Sequence, residues 1–201
     1  MAPTQSHTLA ISALTTTVVF IVYRYRFRAP VLAHWFSGEH GEDARQALSV
    51  HAQRFAGFFL LGIVPYLVAL YAPPSRCALG LDDGFWRVGG AFLLGIVCIV
   101  LPIIWWNGRR PVSWVSYPEI RARDWSVSSY WANALSWTLY LVGYEYLFRG
   151  FLLFALADVL DPWTAISVST LVYVLAHLDK PAAETFGSVP IGLLFGYVAL
   201  E

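Results

Sequence analysis

Apolar residues in this chain come in long blocks, at 8–23, 55–71, 88–106, 128–160, 163–178 and 185–200, with charges and turn residues gathered between them. A helix needs about 20 predominantly apolar residues to cross a bilayer, and most of these blocks approach or exceed that length. The pattern predicts an all-α, polytopic transmembrane helix bundle of about six transmembrane helices. Two stretches break it: 29–54 and 112–125 mix aromatic, charged and turn residues and are expected to lie in the membrane interface rather than cross it.

The punctuation between blocks agrees with this outline. Ser126, Ser128 or Ser129 is placed to cap the fourth helix, which ends at Asp158, Asp161 and Pro162. Pro65 lies inside the second block, where neighbouring helices can satisfy the carbonyl it frees. Gly192 and Gly196 have the small-residue spacing that lets two helix backbones approach. Basic residues are strongly biased. The segments following the first, third and fifth blocks carry Arg24, Arg26, Arg28, Arg45, Arg54, Arg109, Arg110, Arg121, Arg123 and Lys180, and the opposite side carries Arg76 and Arg87. The positive-inside rule then puts the arginine-rich loops in the cytoplasm and both termini outside. Met1–His7 lacks the basic start of a secretory signal, and no cleavable one is expected.

Composition sharpens the class. Hydrophobic residues make up 58% and charged residues 13% of the chain, against about 25% charged in ordinary soluble domains. Zero net charge and the lack of a basic block give no nucleic-acid-binding surface. Cys77 and Cys98 are expected to be free packing thiols, and the Asp82-Asp83-Gly84 turn a solvated one. His34, His40 and His51 have spacings that match no common zinc pattern.

One stretch carries candidate chemistry. Glu145 and Arg149 fall inside an apolar run, where ionised groups are costly and mark either a functional site or a structural ion pair. Four residues apart, they share a helix face. His177 is the one histidine within an apolar block, and Tyr173 lies one turn before it. An acid held by an arginine beside a buried imidazole can orient a water and accept its proton, with or without a metal. The same residues can also simply knit two helices together.

Tyr144-Glu145-x-x-x-Arg149-Gly150-Phe151-Leu152, then Tyr173-x-x-x-His177-Leu178, then Phe186, Gly192 and Gly196, resembles the CAAX protease and bacteriocin-processing family of membrane proteases (the Abi, or type II CAAX prenyl endopeptidase, family). The resemblance starts at about Tyr117-Pro118-Glu119-Ile120. It implies a single membrane domain over 1–201, in which 1–110 holds transmembrane helices without family signal and 111–201 is the CAAX-protease-like part. The family pattern runs Glu-Glu-x-x-x-Arg, Phe-x-x-x-His and a later His-x-x-x-Asn or Asp. Glu145 matches its second glutamate, Arg149 its arginine and His177 its first histidine. Tyr144 stands at the first glutamate and Tyr173 at the phenylalanine. A phenol, with a pKa near 10, is a poor base at neutral pH. The last motif has no counterpart before Glu201, so the chain is expected to be either a short variant or one lacking its carboxyl-terminal helices.

The resemblance implies an intramembrane endopeptidase, a hydrolase and metalloprotease of CAAX-box protein processing, acting on membrane-associated or prenylated peptides through an activated water. Glu145, Arg149 and His177 are its implied catalytic residues, Tyr144 and Tyr173 its substrate-binding residues, and Glu145 and His177 the ligands of a zinc-like divalent ion. The implied partners are the lipid bilayer and a peptide or protein substrate, and the implied location is a prokaryotic plasma membrane, in which the chain is a multi-pass protein. Two other readings stay open: a catalytically inactive member serving as an immunity, scaffold or peptide-binding protein, and a small transporter in which Glu145 carries a proton.

Overall fold

The computed structural model describes residues 3–36, 41–72 and 117–201, together with 74, 98, 102, 105, 106, 108 and 109. The described residues form helices and no strand. Here α1 is Pro3–Arg26, α2 Glu42–Tyr71, α3 Val127–Ala157, α4 Pro162–Leu175 and α5 Ala182–Leu200. Four of these, α1, α2, α3 and α5, contain stretches long and apolar enough to cross a membrane, and α4 is apolar but shorter. The all-α membrane architecture is therefore present, and the described residues supply four full-length spans towards the expected six. The block at 88–106, the Asp82-Asp83 turn, Cys77 and His40 lie outside the described residues, apart from positions 98, 102, 105 and 106. Of these, Trp105 carries the Arg109 guanidinium 3.5 Å from its ring centroid.

The second span differs from expectation. The chain around 42–54 is not interfacial loop: α2 already begins at Glu42, after Gly41, and runs unbroken into the apolar block. Glu42 and Asp43 occupy the first turn, where acids suit the positive end of the helix dipole, and Arg45 pairs with Glu42 at 2.6 Å. Of the charges in this stretch, Arg54, which adjoins the apolar block, is met by a distant acid. Its Nη2 donates to Glu119 Oε2 at 2.9 Å, and its Nη1 donates to Asn133 Oδ1 at 2.8 Å. The interfacial stretch after residue 117 is irregular up to Ser126 and is stitched to α2. Gln46 Nε2 donates to Glu119 O and Gln46 Oε1 accepts from the Arg121 N–H, at 3.1 and 2.9 Å. Ser126 then caps α3, its Oγ accepting the Ser129 N–H at 3.1 Å. Asp161 caps α4 in the same way, with Pro162 in the first turn.

Two helices contain π-helical turns, Phe58–Ile63 in α2 and Tyr146–Leu152 in α3. The first immediately precedes Pro65, whose ring would press on the carbonyl four residues back in a regular α-helix. Widening the turn relieves that contact. The second begins at the residue after Glu145. There Phe148 O accepts both the Leu153 N–H, five residues on, and the Ser169 hydroxyl of α4 at 3.0 Å. A single-turn π segment inside an α-helix is common at functional sites.

The π turns sit where helices touch. A Cβ on Gly62 would come within 2.9 Å of Gly143 Cα, so α2 and α3 cross almost backbone to backbone just before Tyr144. α4 and α5 meet through the expected glycine pair: a Cβ on Gly192 would lie 2.7 Å from Thr170 Cγ2, and one on Gly196 would lie 3.0 Å from Ile166 Cγ2. Leu61, Leu147, Phe148, Phe151, Leu153 and Ile166 fill the space between these contacts. Arg24, in the last turn of α1, pairs with Asp179 after α4 at 2.6 Å. That bond ties the end of α1 to the turn carrying His177, placing Arg24 and the segment with Lys180, both assigned to the same side by the basic-residue bias, at one end of the bundle.

Candidate active site

Each candidate residue is set by one of the features above. Tyr144 and Glu145 follow the Gly62–Gly143 crossing, and Arg149 lies on the π turn that Ser169 ties to α4. Arg149 Nη1 stands 3.4 Å from Glu145 Oε2, a pairing across one helix face. It is an ion pair by proximity and not a formed hydrogen bond: Glu145 Oε2 and both Nη atoms of Arg149 are buried without a hydrogen-bond partner. The Arg149 side chain is 9% exposed and that of Glu145 34%, so the acid is the more open of the two.

Tyr173 is where the pieces meet. The Arg149 guanidinium lies 3.8 Å from the centroid of its ring. The His177 ring is 4.4 Å from it on the other hand, and the Tyr144 ring packs edge-on at 5.7 Å. The backbone of Tyr173 also sets the imidazole. α4 stops at Leu175, leaving the carbonyl of Tyr173 without a continuing helix, and His177 Nδ1 bonds to it at 2.8 Å. A carbonyl can only accept, so Nδ1 carries the proton and Nε2 is left as the lone-pair nitrogen. The Tyr144 hydroxyl is 3.4 Å from the same Nδ1.

The turn that presents His177 is pinned on several sides. Thr185 of α5 donates its hydroxyl to His177 O at 2.7 Å, and Asp179 is held by Arg24 and Arg28. Tyr117 donates to Glu184 Oε2 at 2.9 Å. Burial first, and then the Glu184 carboxylate, push the Tyr117 phenol well above its usual range, so it stays a donor at any ordinary pH. With 14 residues, α4 rises about 21 Å, shorter than a hydrocarbon core of about 30 Å.

All five residues singled out in the sequence thus fall in one neighbourhood. Residues 124–201 match the family described as Type II CAAX prenyl endopeptidase Rce1-like. This is the family that the motif order resembles, and the Rce1-like match includes Tyr144, Glu145, Arg149, Tyr173 and His177. α1 and α2 lie outside it. Neither the curated proteins nor the solved structures yield a match to the chain. Over residues 124–201 the chain is similar to this CAAX-type, intramembrane-protease-like family, and four of its described helices are long and apolar enough to span a membrane.

The Rce1-like reading raises the question of a metal. Glu145 and His177 offer one carboxylate and one imidazole, and catalytic zinc is usually held by three protein ligands. Among the described residues no group of three or more His, Cys, Asp or Glu side chains stands together. These two donors therefore do not by themselves fit a catalytic zinc site, and no step below runs through a metal. Sequence reasoning gave no role to Arg54 or Ser169. Arg54 carried a signal, a charge adjoining an apolar block, but its partner Glu119 lies 65 positions away.

Proposed function

We propose that the chain hydrolyses peptide bonds of membrane-associated or prenylated, CAAX-type peptides within a cell membrane, such as the plasma membrane of a prokaryote. The observation that carries this reading is the convergence on the Tyr173 ring of His177 and of Arg149, which pairs with Glu145, inside the stretch that matches the Rce1-like family. Glu145, the more open acid, takes the proton of a water as its oxygen adds to the peptide carbonyl. Arg149 orients that carboxylate. His177, its Nδ1–H spent on Tyr173 O, offers the Nε2 lone pair as an acceptor that orients the water, and Glu145 returns its proton to the departing amine. Tyr144 and Tyr173 form the aromatic wall against which the substrate lies. A zinc-like ion belongs to this proposal only with a ligand beyond Glu145 and His177, and elemental analysis of purified protein decides it: less than about one ion per ten chains would remove it.

The experiment is cleavage of a farnesylated peptide by the purified protein in lipid nanodiscs. Glu145→Ala and His177→Ala should each abolish turnover while the protein stays folded. Unchanged cleavage in both would sink the assignment.

One observation favours a second reading, an inactive member that binds peptides or partner helices: Tyr144 takes the place of the family pattern's first glutamate. In that case wild-type protein binds the farnesylated peptide without cleaving it, and Glu145→Ala leaves the binding intact.

A further inference from the structure

Tyr144 is 7% exposed, and its ring is enclosed by Tyr140, Phe148, Tyr173 and His177 at centroid distances of 5.7, 4.9, 5.7 and 5.9 Å. With the ring fixed on these sides, the direction of its C–O bond is fixed too. Among the described residues the hydroxyl has one hydrogen-bond contact, His177 Nδ1 at 3.4 Å. That nitrogen cannot accept, because it is committed as a donor to Tyr173 O at 2.8 Å. The Tyr144 oxygen can take the weaker branch of that Nδ1–H, but its own O–H has no acceptor there. The Tyr144 side chain is largely buried, and a hydroxyl there whose proton finds no acceptor costs free energy unless something supplies one.

We propose that Tyr144 is a catalytic residue whose hydroxyl donates a hydrogen bond to the carbonyl oxygen of the peptide bond being cleaved. This deepens the hydrolase reading and rests on it. As the water oxygen bonds to the carbonyl carbon, the π pair of the C=O moves onto oxygen, where the Tyr144 O–H meets the new negative charge. The proton released by the water goes to Glu145. When the adduct collapses, the carbonyl re-forms, the C–N bond breaks and the amine leaves with a proton returned from Glu145. Tyr144 keeps its proton throughout, which suits a phenol better than the role of base.

The test uses the full chain in nanodiscs and two farnesylated peptides, one with the ordinary amide and one with a trifluoromethyl ketone in its place, whose hydrate mimics the tetrahedral adduct. Tyr144→Phe keeps the ring and its packing. It should lower kcat by about 10²- to 10³-fold, the loss typical of one oxyanion donor, with KM nearly unchanged. It should also weaken ketone binding by a similar factor and leave binding of the amide peptide alone. A merely structural role for Tyr144 predicts no such split. Should Tyr144→Phe fail to fold, fluorotyrosine at position 144 gives the same readout, since a stronger donor should tighten ketone binding. Wild-type cleavage with Tyr144→Phe within about threefold in kcat, or equal ketone affinity in the two proteins, overturns the role of Tyr144 and leaves the hydrolase reading standing. A wild-type protein that neither cleaves the amide nor prefers the ketone overturns both.

Discussion

The guanidinium of Arg149 rests 3.8 Å from the ring centroid of Tyr173, so the charge of the α3 motif is held by an aromatic face of α4 as well as by Glu145. A cation over a ring inside a desolvated site contributes about 2 kcal/mol. Tyr173→Leu should therefore release Arg149 and destabilise the fold measurably, whereas Tyr173→Phe keeps the face and should change stability little. Arg149→Met should cost more, about 3 kcal/mol, because it strands the Glu145 carboxylate. That figure is the low end for a broken buried pair, since Glu145 is 34% exposed. Adding Glu145→Gln to Arg149→Met should restore much of the loss. Thermal unfolding in detergent of the four variants checks the order, and equal loss in Tyr173→Phe and Tyr173→Leu would show that the ring face is not what holds Arg149.

The approach of α2 to α3 can be tested without touching the site. A Cβ at Gly143 would lie 3.0 Å from Phe58 Cα, 3.1 Å from Phe58 O and 3.2 Å from Gly62 N. All three are backbone atoms, so the helices themselves must separate. Gly143→Ala should cost about 1–3 kcal/mol, the usual range for overpacking, and should shift Tyr144 and Glu145, which follow directly in the chain. Gly187→Ala is the control, because a Cβ there meets nothing within 4 Å. Equal melting temperatures for the two alanine variants would contradict the crossing described here.

Arg54 and Glu119 bind the segment before α3 to the start of α2, and they do so out of water: their side chains are 6% and 22% exposed. The same guanidinium lies 4.5 Å from the Trp137 ring centroid. Removing one partner of such a pair leaves an uncompensated charge and costs about 3–5 kcal/mol. Arg54→Ala should reach that range, and Glu119→Gln should cost less, since Gln46 and the loop backbone still hold the segment in place. A double-mutant cycle on unfolding free energies should return a clear coupling between the two positions. A coupling near zero would mean that Arg54 is held by Asn133, Ser136 and Trp137 alone.

The site was more legible in the sequence than the scaffold around it. Glu145, Arg149 and His177 betrayed themselves as polar groups in apolar blocks, and the i, i+4 spacings of 145 with 149 and of 173 with 177 already placed each pair on one face. The Tyr144–His177 contact joins residues 33 apart, and only the order of the motifs hinted at it. The start of α2 was misplaced for a physical reason. Charge density argues for a loop only while the charges are assumed to face water, and Arg54 is neutralised from a segment 65 residues away. The π turns were only partly legible. One is linked to Pro65, which could have suggested a distortion, but the one after Glu145 is fixed by the tertiary bond from Ser169 to Phe148 O.

His177 makes two demands that separate on substitution. Its Nδ1–H closes the end of α4 on Tyr173 O at 2.8 Å, and its Nε2 is the nitrogen left for chemistry. An asparagine side chain can place an N–H near the position of Nδ1 and offers nothing at the position of Nε2. A glutamine reaches towards Nε2 and gives up the local bond. His177→Asn should therefore keep wild-type stability and peptide binding yet lose hydrolysis, while His177→Gln should lose about 1 kcal/mol of stability, the net value of one hydrogen bond. Unfolding curves and turnover measured on the same preparations distinguish the cases. If His177→Asn retains turnover, Nε2 takes no part in the reaction and the imidazole serves only to finish the helix.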